Sequence, residues 1–186
     1  MGRKDETWVG KARKGSRAAF DHLVTEYADL IFYLLYDLTG NYQDAQDLSQ
    51  EAFIRAFQSL QTYRGDAKFS TWLYRIAYNV GIDFLRRERR IHTVEVDDTI
   101  RERELFHQGA VSSMEYTGER EAIDKALQHL SPSQRMAVVM HYFHGFTMKE
   151  ISDILNCSPS TARVHLFRGL RHLKKKLKAF APTSED

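Results

Sequence analysis

One cysteine, three prolines and no apolar run of membrane length are the first features of this 186-residue chain. A lone Cys157 excludes an internal disulfide and any multi-cysteine zinc site. His141 and His144 taken with Cys157 match no standard ligand spacing, so no metal and no cofactor is expected. No stretch approaches the roughly 18 consecutive apolar residues that a membrane helix needs. The opening MGRKDETWVG lacks a signal-peptide apolar core, and Glu6 stands where a myristoylation motif takes Ser or Thr. A cytoplasmic location is the expectation. Chemistry-bearing motifs are missing too: there is no Gly-rich phosphate loop, no paired-histidine zinc helix and no nucleophile elbow. The eight histidines are scattered. An enzyme is therefore not expected.

What is present is the balance of a globular protein, 42% hydrophobic and 28% charged. A net charge of +2 says little, but its distribution says more. Segments 86–90 (RRERR) and 168–178 (RGLRHLKKKLK) are basic, whereas 44–51 (DAQDLSQE) is acidic. Separate basic and acidic surfaces fit two kinds of partner better than one.

Almost every segment reads as helix. From Ser16 to Leu38, apolar residues recur at spacings of three and four, and Gly40-Asn41 ends the run. A second helix is predicted from about Gln43 to Thr62, burying Ala45, Leu48, Ala52, Phe53, Ala56, Phe57 and Leu60. A loop at Arg64-Gly65-Asp66 follows, with Ser70 or Thr71 as N-cap of a third helix reaching Arg90. Beyond it the periodicity dissolves, and 91–117 reads as a linker. In the second half, Ser131-Pro132 with Gln134, Thr147 with Glu150, and Ser158-Pro159 are three helix starts in under thirty residues. The succession of helix, short helix, tight turn and long basic helix is a helix-turn-helix layout. The expectation is an all-α chain of two small helical domains, 1–90 and 118–180, joined by a flexible linker over 91–117 and followed by a tail at 181–186.

The third helix separates into faces at about 100° of rotation per residue. Leu73, Ile76, Ala77, Val80 and Phe84 form a core stripe, and Tyr74, Tyr78 and Leu85 a side cluster. Trp72, Arg75, Asn79, Asp83 and Arg86 share another face. One reading makes the aromatics half-buried rim residues and the arginines a solvated, dipole-compatible helix end. The other makes this face a grip for single-stranded nucleic acid, with an amide for a base edge and guanidinium groups for phosphates.

Two runs carry a resemblance that periodicity does not supply. DLSQEAFIRAF from Asp47 to Phe57, and FSTWLYRIAYN from Phe69 to Asn79, resemble bacterial sigma factors of the extracytoplasmic-function (ECF, group 4) branch of the sigma-70 family. Leu130-Ser131-Pro132 with the helix pair from Thr147 to Lys176 is similar to that family's fourth region. The likeness covers roughly residues 10 to 180. It implies a non-catalytic subunit that binds core RNA polymerase and directs promoter-specific initiation, commonly under an anti-sigma factor. The implied contacts on the polymerase are a coiled coil of the largest subunit and the flap of the second-largest.

The resemblance also assigns roles. Asp47, Gln50, Glu51 and Ile54 would dock on the polymerase. Asn79 would line a pocket for a base flipped from the −10 element, the loop from Tyr63 to Ser70 completing it. Lys68, Arg75, Arg86, Arg87, Arg89 and Arg90 would meet the nearby strand, mostly at phosphates. Trp72 fits either a stacking platform or packing support for the loop. Ser160, Arg163, Val164, Phe167, Arg168 and Arg171 would face the −35 element. There the chain departs from relatives, with Ser160, Ala162, Val164 and His165 where Gly, Val, Ser and Arg are more frequent, so its −35 preference does not follow from theirs. Gly81, mid-helix, costs about 1 kcal/mol relative to Ala unless helices meet closely there. A helix-turn-helix regulator of another class would explain 119–180 but leave 43–90 without a task.

Overall fold

The structure is a computed structural model that describes residues 3–95, 123 and 125–180. Among these every regular element is helical, and the chain divides into two compact units, Met1–Ala110 and Val111–Asp186. Of the expected linker, 91–95 continue a helix, while 96–117 lie outside the described residues, as does the tail 181–186.

The first unit opens with α1 (Arg3–Arg13), an element the sequence did not announce. Asp5 and Glu6 in its first turn and Lys11 and Arg13 in its last complement the helix dipole. Helix α2 (Arg17–Thr39) starts where Ser16 Oγ accepts from the Ala19 N–H at 3.3 Å. It stops at Gly40, whose φ of 73° needs no Cβ and lets its N–H donate to the Tyr36 carbonyl. Asn41 then caps α3 (Tyr42–Ser59), accepting from the Asp44 N–H at 3.1 Å. A 3₁₀ turn (Leu60–Thr62) carries the chain on, so the α-helix ends three residues before the expected Thr62.

The buried stripe of α3 is Ala45, Leu48, Ser49, Ala52 and Ala56, small residues that allow α2 and α4 to lie close. Phe57, expected in that stripe, is instead 53% exposed. One position past Ala56 it has turned about 100° away from the core. Only the edge of its ring meets Phe20, at 5.0 Å between centroids.

Helix α4 (Phe69–Glu95) begins one residue before the expected caps and runs five residues past Arg90. Ser70 and Thr71 therefore lie within its first turn, where the Trp72 N–H donates to the Lys68 carbonyl. Thr71 is buried, and its Oγ1 has no hydrogen-bond partner. Leu73, Ala77 and Val80 are core as expected. Tyr74 and Tyr78 are core as well rather than rim: Tyr74 is 2% exposed, and burial pushes its phenol pKa up. Gly81 is explained by contact. A Cβ there would overlap Leu38 Cδ2 and sit 3.0 Å from Leu35 Cδ2, both in the packed face of α2.

The second unit holds α5 (Pro132–Tyr142), α6 (Met148–Ile154) and α7 (Pro159–Phe180). The capping signals behave as the sequence indicates. Ser131 Oγ accepts from the Gln134 N–H, and Thr147 with Glu150 closes both bonds of a capping box. Ser158 Oγ accepts from the Thr161 N–H at 3.1 Å at the head of α7. Between α6 and α7 Asn156 takes φ 52°, the left-handed conformation that a short polar side chain tolerates in a tight turn. Met136, Met140, Ile151, Ile154 and Ala162 form the core. Gly169 lets α7 meet α5, since a Cβ there would lie 2.8 Å from Val138 Cγ2 and 3.1 Å from the Gln134 carbonyl oxygen.

Arg135 is the unit's buried cation. Its Nε donates to the Leu127 carbonyl at 2.9 Å, and one Nη donates to the carbonyls of Gln128 at 2.9 Å and Leu130 at 3.3 Å. The guanidinium thus helps to satisfy the carbonyl end of the helical turn at 125–128, where the Leu127 oxygen also accepts from the Leu130 N–H at 3.0 Å. Burial of His144 acts in the opposite electrostatic sense, holding its pKa below the usual 6.5. The unfolded chain therefore takes up this proton first as pH falls, and stability present above about pH 6.5 is lost below it. The melting temperature of this unit is expected to drop between pH 7.5 and 5.5, and His144→Gln to flatten that slope. A wild-type melting temperature independent of pH over this range would contradict the assignment.

Candidate functional site

Three surfaces gather the residues that the sequence singled out. On α3, Asp47, Gln50 and Ile54 are exposed and Glu51 is half-exposed. At about 100° per residue they span roughly 100° of arc, on the side opposite the small-residue stripe. Glu51 is paired within the helix to Arg55, and Asp47 accepts from Gln43 Nε2 at 3.2 Å. Ile54 is 57% exposed, and Phe57, one turn on, extends the apolar ground beside it. Phe57 is the surface residue that the helical pattern concealed, because at a stripe's edge an aromatic ring reads as core. The signal for it was its neighbour at i−3, an isoleucine among carboxylates.

On α4, Arg75, Asn79, Arg86 and Arg90 are exposed and fall within roughly 60° of arc; at about 1.5 Å of rise per residue the row is about 22 Å long. Arg87 is exposed to one side, and the side chain of Arg89 lies outside those described. Arg86 meets Asp83 at 3.6 Å, an exposed pair that costs little to break. Lys68 is exposed in the loop that leads into the helix. That loop is closed on itself, Tyr63 Oη donating to the Ala67 carbonyl at 2.6 Å. Trp72 packs its ring against Tyr63 at 5.2 Å and Phe69 at 5.6 Å and is half-buried, the geometry of packing support for the loop.

On α7, Ser160, Arg163, Val164, Phe167, Arg168 and Arg171 are all exposed and lie within roughly 140° of arc. Phe167, at 68%, is the most exposed of the large apolar residues of the described structure. Ala162, which the sequence reading set among the groove-facing departures, is fully buried on the opposite side, so its small size is a packing matter. His165 is half-buried, and burial, with help from Arg168, holds its pKa below the usual value. Among the described residues no cluster of three or more His, Cys, Asp or Glu side chains is placed to hold a metal ion. No described helix is long and apolar enough to cross a membrane.

A helix with a cationic amide-bearing face in one unit and a helix-turn-helix with an exposed basic recognition helix in the other define a class of DNA-directed transcription proteins. Residues 23–91 match sigma-70 region 2, and residues 120–173 match the sigma-70 region 4 family. The ECF RNA polymerase sigma factor SigW of Bacillus subtilis is 31% identical over 180 residues, covering 91% of this chain and 95% of the relative. The RNA polymerase sigma-H factor of Pseudomonas aeruginosa is 33% identical over 183 residues, covering 94% of each. In fold, the chain is similar to the sigma factor RpoE of Bartonella quintana, solved in complex with the anti-sigma factor NepR. That likeness has a TM-score of 0.69 at 21% identity and covers 86% of this chain and 96% of that one. The chain belongs to the ECF sigma factors of the sigma-70 family, which bind core RNA polymerase and direct it to promoters.

Proposed function

We propose that this sigma factor divides its task among the three surfaces, acting in the cytoplasm as a specificity subunit and not as a catalyst. The α3 face of Asp47, Gln50, Glu51 and Ile54 docks on the coiled coil of the largest polymerase subunit, and the second unit meets the flap of the second-largest. The row on α4 with Lys68 takes the melted −10 strand, Asn79 reading an extruded base while the arginines hold phosphates. The row on α7 reads the −35 element in the major groove, where Arg163 has the reach for a bidentate guanine contact worth about 1–3 kcal/mol of discrimination. An anti-sigma factor restrains the protein by covering these surfaces, as NepR binds the RpoE of Bartonella quintana. The observation that carries the reading is the exposed row of Arg75, Asn79, Arg86 and Arg90 beside the closed loop at 63–68.

The test is to map transcription starts made by core polymerase with this protein on a genomic library, and to read the upstream sequences that they share. Initiation at no promoter would overturn the proposal. Two variants then separate the surfaces. Asn79→Ala is expected to lower −10 discrimination about tenfold, the scale of one base-directed hydrogen bond, with polymerase affinity unchanged. Glu51→Lys is expected to lower polymerase affinity by at least about tenfold, in a salt-dependent way, with duplex −35 binding intact. Equal loss of both activities in either variant would mean that its residue is structural.

A further inference from the structure

Helix α1 lies outside the three surfaces, yet both of its ends are tied to the frame of the loop at 63–68. At its start, Asp5 Oδ2 accepts a hydrogen bond from Tyr27 Oη at 2.9 Å. The Tyr27 ring meets Phe69 edge-on at 5.6 Å. Phe69 in turn contacts Tyr63 at 5.9 Å and Trp72 at 5.6 Å, and Tyr63 contacts Trp72 at 5.2 Å. At the other end of α1, the Arg13 carbonyl accepts from Gln61 Nε2 at 2.7 Å, two residues before the loop begins. Between these ties α1 is seated by buried Val9 and Ala12 and by Trp8 against His22 at 4.3 Å.

The loop's two ring anchors, Tyr63 and Phe69, stand at its two ends, and both belong to this aromatic cluster. Between them Arg64, Gly65, Asp66 and Lys68 are exposed, and Gly65 takes φ 83°. The loop's shape is therefore set where it is anchored, and the cluster's position is set in part by Asp5. Burial, with the nearby Asp5 carboxylate, keeps Tyr27 protonated and hence a donor.

We propose that α1 is a positioning element of the −10 reading loop, acting through the chain Asp5, Tyr27, Phe69, Tyr63 and Trp72 to hold the loop in its base-selecting shape. This rests on the proposal that the loop and Asn79 read the −10 element. The test uses the full chain with core polymerase on templates randomised across the upstream region, with transcription starts mapped for each variant. Tyr27→Phe keeps the ring on Phe69 and removes only the hydroxyl, and Asp5→Ala removes the acceptor. Both are expected to reduce −10 base preference about fivefold, the effect of one lost hydrogen bond, with −35 preference and polymerase affinity unchanged. Asp5→Asn, whose amide oxygen still accepts, is expected to restore the preference. Unchanged −10 preference in Tyr27→Phe, or equal loss at −10 and −35, would overturn the proposal. Asn79→Ala in the same library distinguishes the two levels. If it flattens −10 preference while Tyr27→Phe does not, α1 alone is wrongly assigned; if neither does, the loop is not the reader and both assignments fall.

Discussion

Arg135→Met is expected to unfold the second unit at temperatures where the wild type is intact, while the first unit keeps its own transition. Methionine keeps an unbranched apolar stem like that of arginine but donates nothing. The carbonyls of Leu127, Gln128 and Leu130 would each lose a charge-assisted partner inside the unit. A buried polar group left unpaired costs about 1–3 kcal/mol. The Leu127 oxygen still accepts from the Leu130 N–H and the Gln128 carbonyl is only part-buried, so the loss falls mainly on the buried Leu130 carbonyl and is of about that size. Small helical units have little stability to spare against such a loss. Removing the desolvation of the guanidinium offsets part of this, but that benefit does not supply a donor to the Leu130 oxygen. Arg135→Lys should recover only a fraction, because an ammonium does not reproduce the planar fork that spans three acceptors. Thermal melts of the full chain by circular dichroism check this. A second-unit transition within about 2 °C of wild type would mean that water takes over the carbonyls.

Gly81→Val is the second large effect, and it falls on the first unit. Helix propensity alone favours replacing this glycine, by up to about 1 kcal/mol for alanine and less for valine. Packing opposes it, since even one added carbon overlaps Leu38 Cδ2 and crowds Leu35 Cδ2. Both leucines are fully enclosed, so a shift of either Cδ2 presses on its own packed neighbours. Overfilling a tight core typically costs about 1–3 kcal/mol, and two further methyl carbons place valine at the upper end or beyond. Packing wins, and the first-unit transition is expected to fall by several degrees with α4 displaced from α2. Chemical denaturation checks the sign: a stability equal to or above wild type would show that the leucines yield.

How much of this was legible in the sequence depended on how local the cause was. Helix ends at Ser16, Gly40, Ser131, Thr147 and Ser158 were readable because a cap is a matter of a few neighbouring residues, whereas Asn41, read with Gly40 as the end of α2, is the cap of α3. The exposed row on α4 was readable because helical rotation sorts residues without knowledge of the partner helix, whereas the row on α7 came from the family resemblance. Helix α1 was not, since its apolar content is confined to Trp8, Val9 and Ala12 and its stability comes from Tyr27 and Gln61, far along the chain. Phe57 was misjudged and Tyr74 left open for one reason. The width of a buried stripe is set by how closely neighbouring helices approach, and the alanines of α3 and Gly81 set that distance. Thr71 reads as a cap by its residue type, but the loop feeding α4 places the helix start ahead of it, leaving its hydroxyl enclosed and unpartnered. The role of Gly81 itself could be named only once Leu35 and Leu38 were seen against it.

Helix α7 keeps its two obligations on separate sides. Ala162, Gly169 and Leu173 hold it to its own unit, while Ser160, Arg163, Val164, Phe167, Arg168 and Arg171 point outward with no part in that packing. Those six positions are free to drift or be exchanged with the scaffold held constant. Given the −35 role proposed for this face, a descendant of this protein can acquire a new set of target genes through changes that leave the packing of α7 intact.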